Sequence, residues 1–143
     1  MQPGLNELRE LVTLVQKVNR KGGLLKLNFS IGRWLSYLTA KGTKIPGAPE
    51  KIWEDIPADI VYMVHLEDFV PQTRRIAPPL HLEIGTLKRE NLRRLLRIFQ
   101  QKDVYLCILR IQFAELGELI HWEKLLTREK KYLSEILQFI RGS

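Results

Sequence analysis

The chain has 143 residues, of which 45% are hydrophobic and 27% charged. This composition is typical of a globular protein and excludes a disordered or fibrous chain. The net charge of +7 is the strongest functional indication, because a basic surface attracts anionic partners.

Length favours one domain spanning residues 1–143, and we give Gly142 and Ser143 no role because they fit a remnant of recombinant expression. The N-terminus lacks the basic region and apolar core of a secretory leader, and the apolar runs are too short to span a membrane. A cytoplasmic or otherwise intracellular protein is therefore expected. A single cysteine, Cys107, excludes an intramolecular disulfide, and its place in an apolar run predicts a buried small side chain.

The first predicted element is an amphipathic helix that ends near Gly22 and Gly23. Its apolar residues recur every three or four positions: Leu5, Leu8, Leu11, Val12, Val15 and Val18. Asn6 is the predicted N-cap, and the two glycines stop the helix because glycine accepts a left-handed backbone.

The period changes to two after residue 24, which predicts a strand up to Ile31. Gly32 is the expected turn, with residues 33–39 returning as the second strand of a hairpin. Residues 41–58 form a connector rich in proline and glycine, in which PEKIWEDI predicts a short helix that begins at Pro49.

A strand–helix–strand pattern follows. Residues 60–66 and 80–85 are predicted strands, residues 88–101 a helix, and residues 104–112 a further strand. Residues 80–112 then make a parallel βαβ unit. Residues 114–140 are helical, as one helix or as two that break near Thr127. The predicted fold is α+β, with a small mixed sheet of about four or five strands flanked by the N-terminal, basic and C-terminal helices.

Charge alternates along the chain in blocks. Residues 17–51 carry +7, residues 52–71 carry −5 and residues 74–102 carry +6. The pattern indicates either internal pairing between blocks or separate charged surfaces.

The sharpest feature is an arginine row, Arg89, Arg93 and Arg97, spaced by four on the basic helix. Like charges at this spacing repel, and cations near a helix N-terminus oppose the helix dipole. A bound phosphate would relieve both costs. The leading hypothesis is therefore a nucleic-acid-binding protein, DNA or RNA, that contacts phosphates non-enzymatically. The candidate binding residues are Lys88, Arg89, Arg93, Arg94, Arg97, Arg74 and Arg75.

Two other interpretations compete with phosphate binding, a solvated helix face and a protein-interaction module. The row is equally typical of a solvated face in which Glu90 pairs with Arg94. The C-terminal helix instead suggests a protein-interaction module that self-associates as a homo-oligomer. Its apolar residues exceed what one small sheet covers: Leu119, Ile120, Trp122, Leu126, Leu133, Leu137 and Ile140.

A third hypothesis is a divalent-metal nuclease built on Asp59, His81 and Glu83. The order of elements is superficially similar to a restriction-endonuclease-like core, but Gly85 stands where that pattern needs a lysine. The sequence contains no phosphate loop, nucleophile elbow, dinucleotide fingerprint or zinc spacing. It favours a non-enzymatic protein, and we assign no catalytic residue, metal or cofactor.

Overall fold

A three-stranded parallel sheet forms the centre of the computed structural model, which describes residues 3–42, 49–54, 56–104 and 106–141. Its strands are β1 (Leu27–Ser30), β2 (Val61–Leu66) and β5 (Leu106–Leu109), in the order β1-β2-β5. A two-stranded antiparallel ribbon, β3 (Phe69–Val70) with β4 (Arg75–Ile76), follows the central strand. The helices are α1 (Pro3–Arg20), α2 (Ile31–Ala40), α3 (Arg89–Gln101), α4 (Leu116–Ile120) and α5 (Trp122–Arg141). The predicted α+β class is confirmed.

The register of the sheet separates a buried face from a partly open one. Phe29 of β1 lies beside Val64 of β2, and both are buried. Trp53, from the 3₁₀ helix Pro49–Glu54, packs edge-on against Phe29 and against Phe99 of α3, with ring centroids 4.9 and 5.0 Å apart. This aromatic series ties β1 to α3 through the predicted PEKIWEDI segment, and such edge-to-face pairs add to the free energy of apolar burial.

The N-terminal helix is confirmed, although it begins at Pro3 rather than at Asn6. Its chain reverses at Gly22, whose φ of +91° is a conformation that glycine adopts without strain. Leu8, Val12 and Val15 form its buried face.

The predicted hairpin is wrong, because residues 33–39 belong to α2. Ile31, Leu35 and Leu38 are spaced by four and three, and all three are buried on one helical face. Ser30 caps the helix by accepting a hydrogen bond from the backbone N–H of Arg33 at 3.3 Å. The alternation of apolar and polar residues before Gly32 correctly predicted a strand. That strand ends at Ser30, however, and the helical period begins at the next residue, Ile31.

The strand predicted at residues 80–85 is also wrong. Leu80–Leu82 form a 3₁₀ helix, and Glu83 follows with a φ of +52°, which no strand accommodates. A parallel strand–helix–strand unit does surround α3, but its first strand is β2 rather than residues 80–85. The strands predicted at 60–66 and 104–112 are present as β2 and β5.

Two further expectations are corrected at the C-terminal end. Cys107 is exposed rather than buried, because β5 is an outer strand of the sheet. The C-terminal helical region breaks at His121 rather than near Thr127, which lies inside α5. Gly142 and Ser143 lie outside the described residues. None of the described helices has the length and apolar character needed to cross a membrane.

Candidate functional site

The arginine row projects from α3, whose opposite face carries the buried residues Leu92, Leu95 and Phe99. Two members of the row reach α5. The guanidinium of Arg89 lies 4.8 Å from the ring centroid of Tyr132 and 3.4 Å from the carboxylate of Glu135. Arg93 lies 4.0 Å above the ring of Phe139 and also pairs with Glu90 on its own helix. Cation–π contacts of this kind join the two helices.

The remaining basic residues of α3 face the 3₁₀ helix Pro49–Glu54. Arg94 lies 3.4 Å from the carboxylate of Glu50, which is almost fully buried and also accepts a hydrogen bond from Asn91 at 3.1 Å. Arg97 lines the same depression, whose volume is about 420 Å³. Its lining alternates in charge: Glu50, Lys51, Glu54, Arg94, Arg97, Ile98 and Gln101. The depression is therefore not a purely cationic phosphate pocket.

The other candidate residues do not join the row. Lys88 donates from its ammonium to the backbone carbonyl of Glu83. Arg75 pairs with Glu118 at the start of α4, with Nη2 and Oε1 2.6 Å apart. Arg74 is exposed in the turn between β3 and β4, with a φ of +57°. The loop arginines and the helix arginines thus contact different parts of the molecule.

Three residues meet at the carboxyl ends of the parallel strands. Glu67, which follows β2 and is 0% exposed, accepts a hydrogen bond from the hydroxyl of Ser30 at the end of β1. The guanidinium of Arg110, which follows β5, lies 3.6 Å from the other carboxylate oxygen. Gly32 leaves room for Glu67, because a Cβ there would stand 2.7 Å from Glu67 Cγ. A carboxylate thus occupies the N-terminus of α2, the position that favours negative charge.

Asp68 organises the next segment of chain. Its Oδ1 accepts hydrogen bonds from the backbone N–H groups of Phe69 and Leu87, at 2.7 and 2.8 Å. Its Oδ2 is buried and accepts no hydrogen bond among the described residues. That oxygen packs against Gly85, where a Cβ would lie only 2.2 Å away. Burial raises the pKa of Asp68, although the hydrogen bonds from Leu87 and Phe69 oppose that shift.

The residues proposed for a nuclease serve other contacts. His81 Nδ1 lies 3.1 Å from the buried carboxylate of Glu129, which also accepts the backbone N–H groups of Leu80 and His81. Glu83 accepts from the N–H of Arg89 and from the hydroxyl of Tyr132. Burial and this hydrogen bond raise the pKa of Tyr132, so its hydroxyl stays a donor. Asp59 is exposed on a separate segment. No group of three or more His, Cys, Asp or Glu among the described residues is placed to hold a metal ion.

The C-terminal helices expose an apolar surface. Trp122, Leu126, Leu133 and Leu137 are spaced by four, seven and four on α5, which places them within a sector of about 60°. We call these four residues the apolar stripe. Trp122, Leu126 and Leu137 are each 40% or more exposed, and Leu133 is half-buried. Leu116, Leu119 and Ile120 of α4 are more exposed still. The stripe borders the buried face of α5, formed by Glu129, Tyr132 and Ile136.

Sequence reasoning singled out these apolar residues but missed the roles of the buried carboxylates. Glu67 and Asp68 belong to the acidic block of residues 52–71 and were considered as alternatives to Asp59 in a metal site, not as buried acceptors that join separate elements. The available signal was their position, directly after a strongly apolar strand, where the carboxyl ends of parallel strands converge.

No protein-family model matches the chain, and comparison with curated proteins and with solved structures finds no match either. Inference about function therefore rests on the residues and their geometry.

Replacing Gly85 with alanine is expected to destabilise the protein by about 1–3 kcal/mol, because the added methyl group collides with buried Asp68. The midpoint of urea unfolding measures the effect. Gly117→Ala is the matched control, since a Cβ on this exposed α4 residue meets no atom within 4 Å and alanine favours the helix. An unchanged midpoint for G85A would contradict the packing described for Asp68.

The raised pKa of Asp68 predicts how stability depends on pH. Its contribution is fully present below the pKa of Asp68 in the unfolded chain, and it is lost as pH rises through the higher folded-state pKa. Asp68→Asn abolishes this titration and keeps the acceptor at Oδ1. Relative to wild type, D68N should therefore gain free energy of unfolding as pH rises from 4 to 7.

Urea unfolding at several pH values tests this expectation, with exposed Asp59→Asn as the control. Parallel pH profiles for D68N and wild type would show that Asp68 ionises normally in the folded protein.

Proposed function

We propose that this protein is an interaction module that assembles with a second copy of itself through α4 and α5. The observation that carries the proposal is the apolar stripe, together with the exposed apolar residues of α4. The stripe alone extends about 22 Å along α5. Exposed apolar surface of this kind, bordered by charged side chains, is typical of protein interfaces.

A second copy fits this surface because a two-fold interface presents the same patch on both sides. The stripe offers apolar side chains to apolar side chains, in the manner of helices that pack through residues spaced by three, four and seven. Its solvent margin carries both an acidic and a basic residue, Glu123 and Lys130, so each copy supplies both halves of an ion pair. An apolar partner whose margin carried charge of only one sign would pair with only one of these two residues.

The paired arginines also favour assembly over phosphate binding. Arg89, Arg93, Arg94 and Arg75 each have a carboxylate partner within the chain. A phosphate at these positions would have to displace those carboxylates.

Leu126→Asp should abolish self-association, because a two-fold interface would bury two unpaired carboxylates. Sedimentation velocity over a concentration series measures the association. Leu14→Asp is the matched control, because Leu14 is an exposed leucine on α1, away from the apolar stripe. We expect a dimer for wild type and L14D, and an affinity of self-association about 100-fold or more weaker for L126D. A wild-type protein that stays monomeric at high concentration would overturn the proposal.

Nucleic-acid binding is the second candidate, and one observation favours it. The side chains of Arg89 and Arg94 remain 49% and 60% exposed, and their carboxylate partners lie 3.4 Å away, longer than a strong charge-assisted hydrogen bond. Phosphates of a single- or double-stranded DNA or RNA would compete for both cations. Recognition of this type is electrostatic, with weak sequence preference and strong salt dependence.

Binding of labelled single- and double-stranded DNA and RNA across a salt series tests this second candidate. The triple variant R89A/R93A/R97A should weaken binding and reduce the salt slope by about three. The control, K124A/R128A/K131A, removes the same charge from the exposed side of α5 that faces away from the apolar stripe. An equal loss in both triple variants would show that net charge alone, rather than α3, governs binding.

A further inference from the structure

We infer that two copies pair with α5 antiparallel, about a two-fold axis near Leu126, and that Glu123 of each copy binds Lys130 of the other. This inference rests on the proposed self-association, and it adds the orientation and the residues that select it.

Glu123 and Lys130 project from the same side of α5. They are seven residues apart, which separates them by about two helical turns. Both are exposed, and both stand on the solvent margin of the apolar stripe. Leu126 lies between them along the helix, near the midpoint of the pair.

The two-fold symmetry determines which residues of the two copies face each other. An antiparallel two-fold axis near Leu126 places residue 123 of one copy at the height of residue 130 of the other, and it keeps the same margin of both helices on one side. Both ion pairs form at once. In a parallel pair, each residue lies at the height of its own counterpart and the margin faces the opposite flank of the partner helix, so Glu123 and Lys130 do not meet.

The apolar residues agree with the same axis. Antiparallel pairing about residues 126 and 127 places Leu126 of each copy next to the axis, so the centre of the apolar stripe is covered by the same residue of the second copy.

Charge reversal tests this arrangement. E123K sets lysine against Lys130 in both pairs, and K130E sets glutamate against Glu123. Each single variant should weaken self-association by about tenfold, because two attractive pairs become two repulsive pairs. The double variant E123K/K130E should restore wild-type affinity. An equimolar mixture of the two single variants should form the heterodimer in preference to either homodimer, because both of its pairs are again opposite in charge.

Sedimentation velocity measures each affinity, and native mass spectrometry resolves the heterodimer in the mixture. K131E is the control, since Lys131 is exposed on the far side of α5 and its reversal should leave the affinity unchanged. Loss of helical circular dichroism would reveal a single variant that failed to fold. In that case, the affinity of the double variant E123K/K130E provides the test.

The outcomes distinguish failure of the antiparallel orientation from failure of self-association itself. A dimeric wild type that L126D disrupts, but in which the single reversals have no effect or the double reversal gives no rescue, overturns the antiparallel arrangement and leaves self-association standing. A monomeric wild type overturns both.

Discussion

The carboxylate of Glu67 is the constraint on which the sheet depends. It lies between Ser30 and Arg110, so one buried group joins the carboxyl ends of all three parallel strands. A buried charge is costly unless it is paired and hydrogen-bonded, and here the hydroxyl, the guanidinium and the N-terminus of α2 share that task. Removal of any one partner leaves the others beside an uncompensated charge.

Three other buried carboxylates likewise hold separate elements of the chain together. Asp68 holds the segment that leads into α3, Glu50 holds the middle of α3, and Glu129 holds α5 against residues 80–82. Each one accepts hydrogen bonds from another element, which buried polar groups require. The basic character of the chain is therefore partly internal. Arg89 and Arg93 lie on aromatic rings of α5, where their planar guanidinium groups contribute packing as well as charge.

Sequence reasoning recovered the elements in which one period dominates. The apolar residues of α1 and α3 repeat over several turns, and β2 is a continuous apolar run, so these were predicted correctly. Sequence reasoning failed at the junction of β1 and α2, where the apolar period changes from that of a strand to that of a helix. It also failed where tertiary contacts determine the backbone conformation. In the 3₁₀ helix of residues 80–82, the N–H groups of Leu80 and His81 donate to Glu129, a contact with a residue almost fifty positions away that no local pattern reveals. The apolar stripe was visible as an excess of leucines, but only the fold shows which of them remain exposed.

The parallel sheet has a consequence for how the chain reaches its native state. Each neighbour of β2 lies more than thirty residues away along the sequence, so no strand pair forms from local contacts. Such long-range pairing makes folding slow relative to helical proteins, because loop closure precedes the stabilising contacts. Arg110 is also the last of Glu67's partners to leave the ribosome. A nascent chain that ends before residue 110 lacks the guanidinium that pairs with Glu67, and the sheet gains its full stability only when synthesis has passed β5.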